Sequence, residues 1–363
     1  LGPLNGIRVV EFTGIGPAPM AGMLLADLGA SVIRLDRPQA AESAQAGNGP
    51  QLSAGRPVLG VDLKSVEGLR TARELVGAAD VLLEGFRPGV LERLGLGPKE
   101  CLELNPKLVF TRVTGWGQDG PLAHRSGHDM NYISLNGALH GFGRRGQAPV
   151  PPVNIVGDFA GGTMFAVTGI LSALVERQSS GRGQVVDAAM LDGSAFLMSM
   201  MYEDRARGAW SDERGTNYID TGAPWYDVYE CADGRYVSVA CIEPQFYAAF
   251  LEGIGLDAAD LPDQWDRTRW PELRERIAAV LRNRTRDEWA DLLGDTEACV
   301  QPVLSMAEAP EHPHVRARGS VLRDGDNPYP GPAPRFERTP GRNTRDPEHA
   351  AEPVEEALRE WGL

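Results

Sequence analysis

Apolar residues fall into two rhythms along the chain, and the change between them near Asn217 gives the first sign of its organisation. In the first half, short apolar runs alternate with stretches of helical periodicity. The runs are IRVVEF (Ile7 to Phe12), SVIRLD (Ser31 to Asp36), PVLGVDL, VLLEGF and KLVFTRV, and the helical stretches include MAGMLLADLG and SVEGLRTARELVG. This β-α-β-α alternation predicts a parallel sheet flanked by helices, a doubly wound, Rossmann-like α/β unit. DFAGGTMFAVTGILSALVERQ predicts a long buried helix from Asp158 to Gln178, with the aspartate as its start signal, and QVVDAAM returns as a strand. Beyond Asn217, WYDVYEC and RYVSVACI, joined through ADG, predict a β-hairpin, and helical stretches follow from Gln245 to about Leu293. The expected division is a large domain over residues 1–205, completed by a C-terminal segment over 315–363, and a smaller α+β domain over 221–310. Linkers then fall at 206–220 and 311–314. The stretch from Asp324 to Arg342 holds five prolines and reads as an extended connector, and PVEEALREWG as a short closing helix. There is no internal repeat.

Composition narrows the function. A length of 363 residues favours more than one structural unit. With 36 basic and 50 acidic residues the net charge is -14, which repels a polyanion at long range and argues against a nucleic-acid partner. No apolar run approaches the roughly 20 residues that span a bilayer, so a membrane protein is not expected. Cys101, Cys231, Cys241 and Cys299 lack metal-type or redox-type spacing, which fits a reducing compartment. The start LGPLNGIRVVEF shows no export pattern and the end EWGL no retention or peroxisomal signal, so the expected location is the cytoplasm.

Two stretches carry candidate chemistry. GIGPAPMAG after the first strand has Gly14 and Gly16 of a dinucleotide fingerprint, with Asp36 near the position of a ribose-binding acid, but Pro19 stands where the third glycine belongs. A tight strand-to-helix turn with proline in the first helical turn accounts for the same residues. The second stretch pairs His128 of SGHDMNYISLNG with Asp158 of PPVNIVGDFAGG. Asp158 precedes Gly161 and Gly162 in a first helical turn. Free backbone N–H groups there could hold an oxyanion, and small side chains could admit a substrate. A capping aspartate and a loop histidine remain the alternative readings of each residue taken alone.

Taken together, LADLGASVIRLDRP, DLKS, LLEGFRPGVLERLGLG, TRVTGWGQDGP, GHDMNYISLNG, NIVGDFAGG, ERQSSGRGQVVDAAMLDG, GAPWYDVYECADGRYVSV, IEPQFY and HPHVRARG resemble the CaiB/BaiF family, the class III CoA-transferases. They run in family order from about residue 7 to residue 320 and look closest to the α-methylacyl-CoA racemases within it. The resemblance implies an interlocked homodimer with active sites shared between subunits, an acyl-CoA thioester as substrate, and no separate cofactor or metal. It also implies His128 and Asp158 as the acid/base pair, Glu243 as the acid that orients and charges the histidine, and Asn154 as support for Asp158. Arg37, Lys64, Arg87, Arg93 and Tyr132 match positions that meet the substrate or its CoA nucleotide.

The implied reaction removes the proton from one face of the carbon next to the thioester and replaces it on the other, which two flanking bases accomplish, one deprotonating while the other, already protonated, delivers. The helix N-terminus is expected to favour the Asp158 carboxylate, and Glu243 the imidazolium. The enolate oxygen is assigned to the backbone N–H of Asp158 and its first-turn neighbours. A CoA-transferase using Asp158 as nucleophile is the competing reading. His128, Glu243 and the absence of a GGGG-like loop favour the racemase. A non-catalytic CoA-binding protein would have no use for the three retained residues.

Overall fold

The computed structural model describes residues 2–44, 52, 55–346 and 351–363. The chain divides into two compact units. The first comprises Leu1–Asn136, Val153–Met198 and Pro310–Leu363, and the second Gly137–Pro152 and Ser199–Ala309.

The first unit is built on six strands, β1 (Arg8–Phe12), β2 (Ser31–Asp36), β3 (Val58–Gly60), β4 (Val81–Glu84), β5 (Val109–Thr114) and β6 (Val185–Ala189). They lie in the order β3-β2-β1-β4-β5-β6, and every neighbouring pair is parallel. Successive side chains serve opposite faces of the sheet. Val9, Val32, Val81 and Val109 pack on the helices Pro17–Asp27 and Met164–Ser180, whereas Val10, Ile33, Leu82 and Phe110 pack on Val66–Ala78 and Val354–Trp361. A sheet covered on both faces needs apolar residues at consecutive positions, which explains the near-continuous runs in the sequence. PVLGVDL contributes only a three-residue strand because the chain turns at Asp62. Ser65 then caps the next helix, accepting the Gly68 N–H at 2.9 Å.

The helix expected from Asp158 begins earlier. Ile155–Thr163 winds as a π-helix and continues from Met164 to Ser180 as an α-helix, so Asn154, not Asp158, stands at its boundary. A π-helix of nine residues is uncommon, and such departures from α geometry recur at functional sites. Ile155–Ser180 is also the one helix among the described residues long and apolar enough to cross a membrane. In the fold it lies against β5 and β6 and buries Ala166, Val167, Ile170, Ala173 and Leu174.

The second unit holds an antiparallel sheet of β7 (Tyr226–Glu230), β8 (Tyr236–Ala240) and β9 (Val300–Pro302) with the helices Pro244–Ile254, Trp270–Leu281 and Arg286–Leu293. Along β7, buried and exposed residues alternate, as expected where one face meets solvent. Trp225, Phe250, Leu273 and Ile277 are central to its core. Gly137–Pro152 and residues 199–220 group with this unit, whereas the sequence pattern placed 137–152 in the large domain and made 206–220 a linker. Charge pairing explains the grouping. Arg144 forks onto Asp227 at 2.9 and 3.0 Å, and Arg145 pairs with Glu213 at 2.8 Å.

The proline-rich stretch is not wholly extended connector. β10 (Val321–Asp324) and β11 (Asn327–Pro330) form a two-stranded antiparallel ladder in the first unit. Pro328 and Pro330 occupy alternate positions of an edge strand, where a missing N–H is tolerated.

Candidate active site

The order of the sheet creates a crevice where the strand order reverses, between β1 and β4, outside their carboxyl ends. A cavity of about 440 Å³ lies there within the first unit, in the range of small-molecule sites. Ile15 to Ala18 after β1 and Gly85 to Pro88 after β4 form part of its wall. Buried Glu84 fixes the second turn, accepting the Phe86 N–H at 2.6 Å and Arg112 Nε at 2.8 Å. Gly16 shapes the first turn. Its φ of +69° is open to glycine at little cost, and a Cβ there would stand 3.4 Å from Asp158 Oδ2. GIGPAP is thus a strand-to-helix turn with Pro17 in the first helical turn, and its backbone faces a carboxylate.

His128, Tyr132, Asn154, Asp158 and Arg87 all line this cavity. His128 is exposed at the N-terminal boundary of helix Asp129–Leu135, where its backbone N–H donates to Asn131 Oδ1 at 3.1 Å. Asp158 is half-buried in the π-helical segment and accepts from Asn154 Nδ2 at 3.1 Å. Burial pushes the Asp158 carboxyl above its ordinary pKa. The Asn154 hydrogen bond opposes that push, the charge of Asp129 adds to it, and His128 opposes it. The helix-terminus argument alone predicted the reverse direction. Desolvation wins because the carboxyl sits in a walled crevice.

Two details overturn the expected oxyanion site. The backbone N–H of Asp158 is already donated to Asp129 Oδ1, at 2.6 Å. Gly161 and Gly162 are buried, not open to a ligand. A Cβ on Gly161 would come within 2.7 Å of the Ser194 nitrogen, and one on Gly193 within 2.0 Å of the Gly161 oxygen. These glycines let the segment carrying Asp158 press its main chain against helix Met190–Leu197. Their smallness serves packing.

Tyr132, placed by resemblance among substrate-binding residues, is buried with its ring edge-on to Trp116, and its hydroxyl donates to the Gly127 carbonyl. It forms the cavity floor under the residue that precedes His128. Arg87 donates to Ser126 Oγ at 2.8 Å at the cavity margin. Arg37, Lys64 and Arg93 are exposed residues of the first unit outside the cavity lining, each in the segment that follows β2, β3 or β4. Glu243 is an exposed residue of the second unit, at the start of helix Pro244–Ile254. Sequence reasoning missed Asp129, Ser126 and Trp116. Only Asp129 carried a signal, its place beside His128.

The arrangement can take up and deliver protons. An imidazole and a carboxyl whose proton affinity burial raises border one small cavity, the two kinds of group that acid-base catalysis uses.

The profile of CoA-transferase family III matches residues 4–351 of the chain. Alpha-methylacyl-CoA racemase from Mus musculus is 44% identical, covering 99% of this chain and 93% of the relative. Its counterpart from Homo sapiens is 41% identical, covering 99% and 94%. A solved CaiB/BaiF family protein from Brucella suis superposes with a TM-score of 0.79 at 25% identity, covering 99% of each chain. With a profile match over almost its whole length and relatives this similar, the chain belongs to CoA-transferase family III.

Proposed function

We propose that this chain is an isomerase that racemises 2-methylacyl-CoA thioesters by two-base proton transfer at the carbon next to the thioester. The observation that carries the reading is the meeting of His128 and Asp158 in one cavity, in a chain 44% identical to an alpha-methylacyl-CoA racemase. One group removes the proton from its face of the carbon while the other, already protonated, delivers to the opposite face. Asn154 supports the Asp158 carboxyl, and Glu243 is assigned to charge His128. A transferase needs only the Asp158 nucleophile and gives His128 no role.

Arg87 at the cavity margin, with Arg37, Lys64 and Arg93 in the segments following neighbouring strands, is assigned to the acyl-CoA, whose nucleotide phosphates need local positive charge on an acidic protein. The acyl-CoA is the substrate and no further cofactor is assigned. The working form is assigned as a homodimer. Val153, Ile155, Leu135 and Phe196 are large apolar residues left exposed in the first unit, as on a surface awaiting a partner. The free state of the cysteines supports a cytoplasmic location.

The test is incubation of one pure stereoisomer of a 2-methylacyl-CoA in deuterated water. Uptake of α-deuterium together with loss of configuration is expected. Transfer of CoA to a carboxylic acid without inversion would replace the reading with the transferase.

A further inference from the structure

We infer that Asp129 is a positioning residue of the proton-transfer site, a buried carboxylate that holds Asp158 by its main chain. The inference rests on the reading of Asp158 as an acid/base group. Four observations converge on it. Asp129 is 5% exposed at the start of helix Asp129–Leu135, directly after His128. Its Oδ1 accepts the Asp158 backbone N–H at 2.6 Å, a short bond to an anionic acceptor. Its Oδ2 is buried with no hydrogen-bond partner among the described residues, an uncommon state for a native carboxylate oxygen. Finally, a Cβ on Gly157 would come within 2.7 Å of Oδ1, so glycine there admits the contact.

One residue thereby ties the two catalytic stretches together. Asp129 follows His128 in the chain and grips the amide of Asp158, tying the segment that carries the carboxyl to the residue next to the imidazole. It also places a charge beside a proton carrier. The groups that act electrostatically on the Asp158 carboxyl are Asp129 and His128, from the neighbouring helix start. Asn154 reaches it from its own segment, and Tyr132, itself close to Arg87, feels its charge. Of these, Asp129 raises the proton affinity of Asp158, after burial itself, while His128 lowers it. A carboxyl that must be protonated to deliver is served by an acidic neighbour that takes no part in the transfer.

The test compares Asp129→Ala and Asp129→Asn in the full-length protein. Asparagine keeps an acceptor for the amide and loses the charge, whereas alanine loses both. In Asp129→Ala, kcat for inversion is expected to fall by about 10²-fold with KM changed far less, as for a misplaced catalytic group. Asp129→Asn is expected to recover most of that loss. The activity limb that reports Asp158 should then move to lower pH, in whichever direction of the reaction it is read. Titration of Asp158 by 13Cγ-aspartate NMR, assigned with Asp158→Asn, should show the same displacement without any substrate. An alanine variant within twofold of wild type, an asparagine variant as slow as alanine, or an unmoved Asp158 titration would each overturn the inference. If the alanine variant fails to fold, the asparagine titration alone decides. Because that titration needs no turnover, a wild type that does not invert its substrate would sink the racemase reading while leaving this comparison intact.

Discussion

Asp158 in the first unit and Asp227 in the second are both carboxylates drawn away from water, and the fold treats them in opposite ways. Asp227, with its side chain 1% exposed, is saturated: Arg144 forks onto both its oxygens, Arg274 adds a further contact, and the Val228 N–H donates at 2.7 Å. Asp158 receives one side-chain hydrogen bond, from Asn154, and its neighbour Asp129 keeps a buried oxygen without a partner. A carboxylate whose oxygens are engaged by two guanidinium groups and a backbone N–H is held in place and holds structure. One left short of partners beside another acid keeps its proton more easily and retains room to react. Saturation of the acceptor, more than burial, separates the structural carboxylate from the chemical one.

The comparison can be broken most severely at the site itself. In His128→Ala, inversion is expected to fall by about 10² to 10⁴-fold, while deuterium exchange on the face served by Asp158 survives in part. Inversion within tenfold of wild type would return His128 to the status of a loop histidine. The opposite break is Asp227→Ala, which takes the anion from half-exposed Arg144 and from Arg274, which keeps the Thr221 and Gly222 carbonyls, and should cost about 1–3 kcal/mol of stability in urea titration. Turnover per folded molecule should hardly change, and a loss below about 1 kcal/mol would show the clamp to be idle. Arg87→Ala addresses substrate capture and should raise KM for acyl-CoA about tenfold with kcat preserved, as for removal of a charged hydrogen bond made equally in ground and transition states. Equal KM values in the two proteins would remove Arg87 from the site. The mildest change is Tyr132→Phe. It takes the donor from the Gly127 carbonyl, should cost about 1 kcal/mol in stability, and should slow turnover only a few-fold. A change in KM alone would mark Tyr132 as a substrate contact.

Much of the first unit was legible because its physics is local. A strand buried on both faces writes itself as consecutive apolar residues, so SVIRLD was bounded to the residue, and Gly16 with Pro17 announced the turn after β1. The acid/base pair was legible only as two suspicious stretches that family resemblance joined. Long-range contacts were not. Nothing in GHDMNY says that its aspartate reaches across 29 positions to the amide of Asp158, and nothing in FGRRG says that Arg144 belongs with Asp227, 83 positions on. The π-helical start escaped because residue propensities do not distinguish a wide turn from a tight one. The two prolines of β11 looked like connector because a strand's tolerance for proline depends on whether its edge is used.

The main-chain contact between Gly161 and Gly193 has a consequence for engineering the substrate range. Side-chain volumes set most distances inside a protein, so a distance built from side chains drifts whenever they are exchanged. The segment bearing Asp158 is instead gauged against helix Met190–Leu197 by peptide atoms, whose dimensions are the same whatever residues surround them. Variation of the cavity wall at Ile15 or Phe86 therefore reshapes the space offered to an acyl chain without moving the reference from which Asp158 is placed. A library aimed at new substrates belongs on that wall, and the glycine pair is the fixed datum that such a library should leave alone.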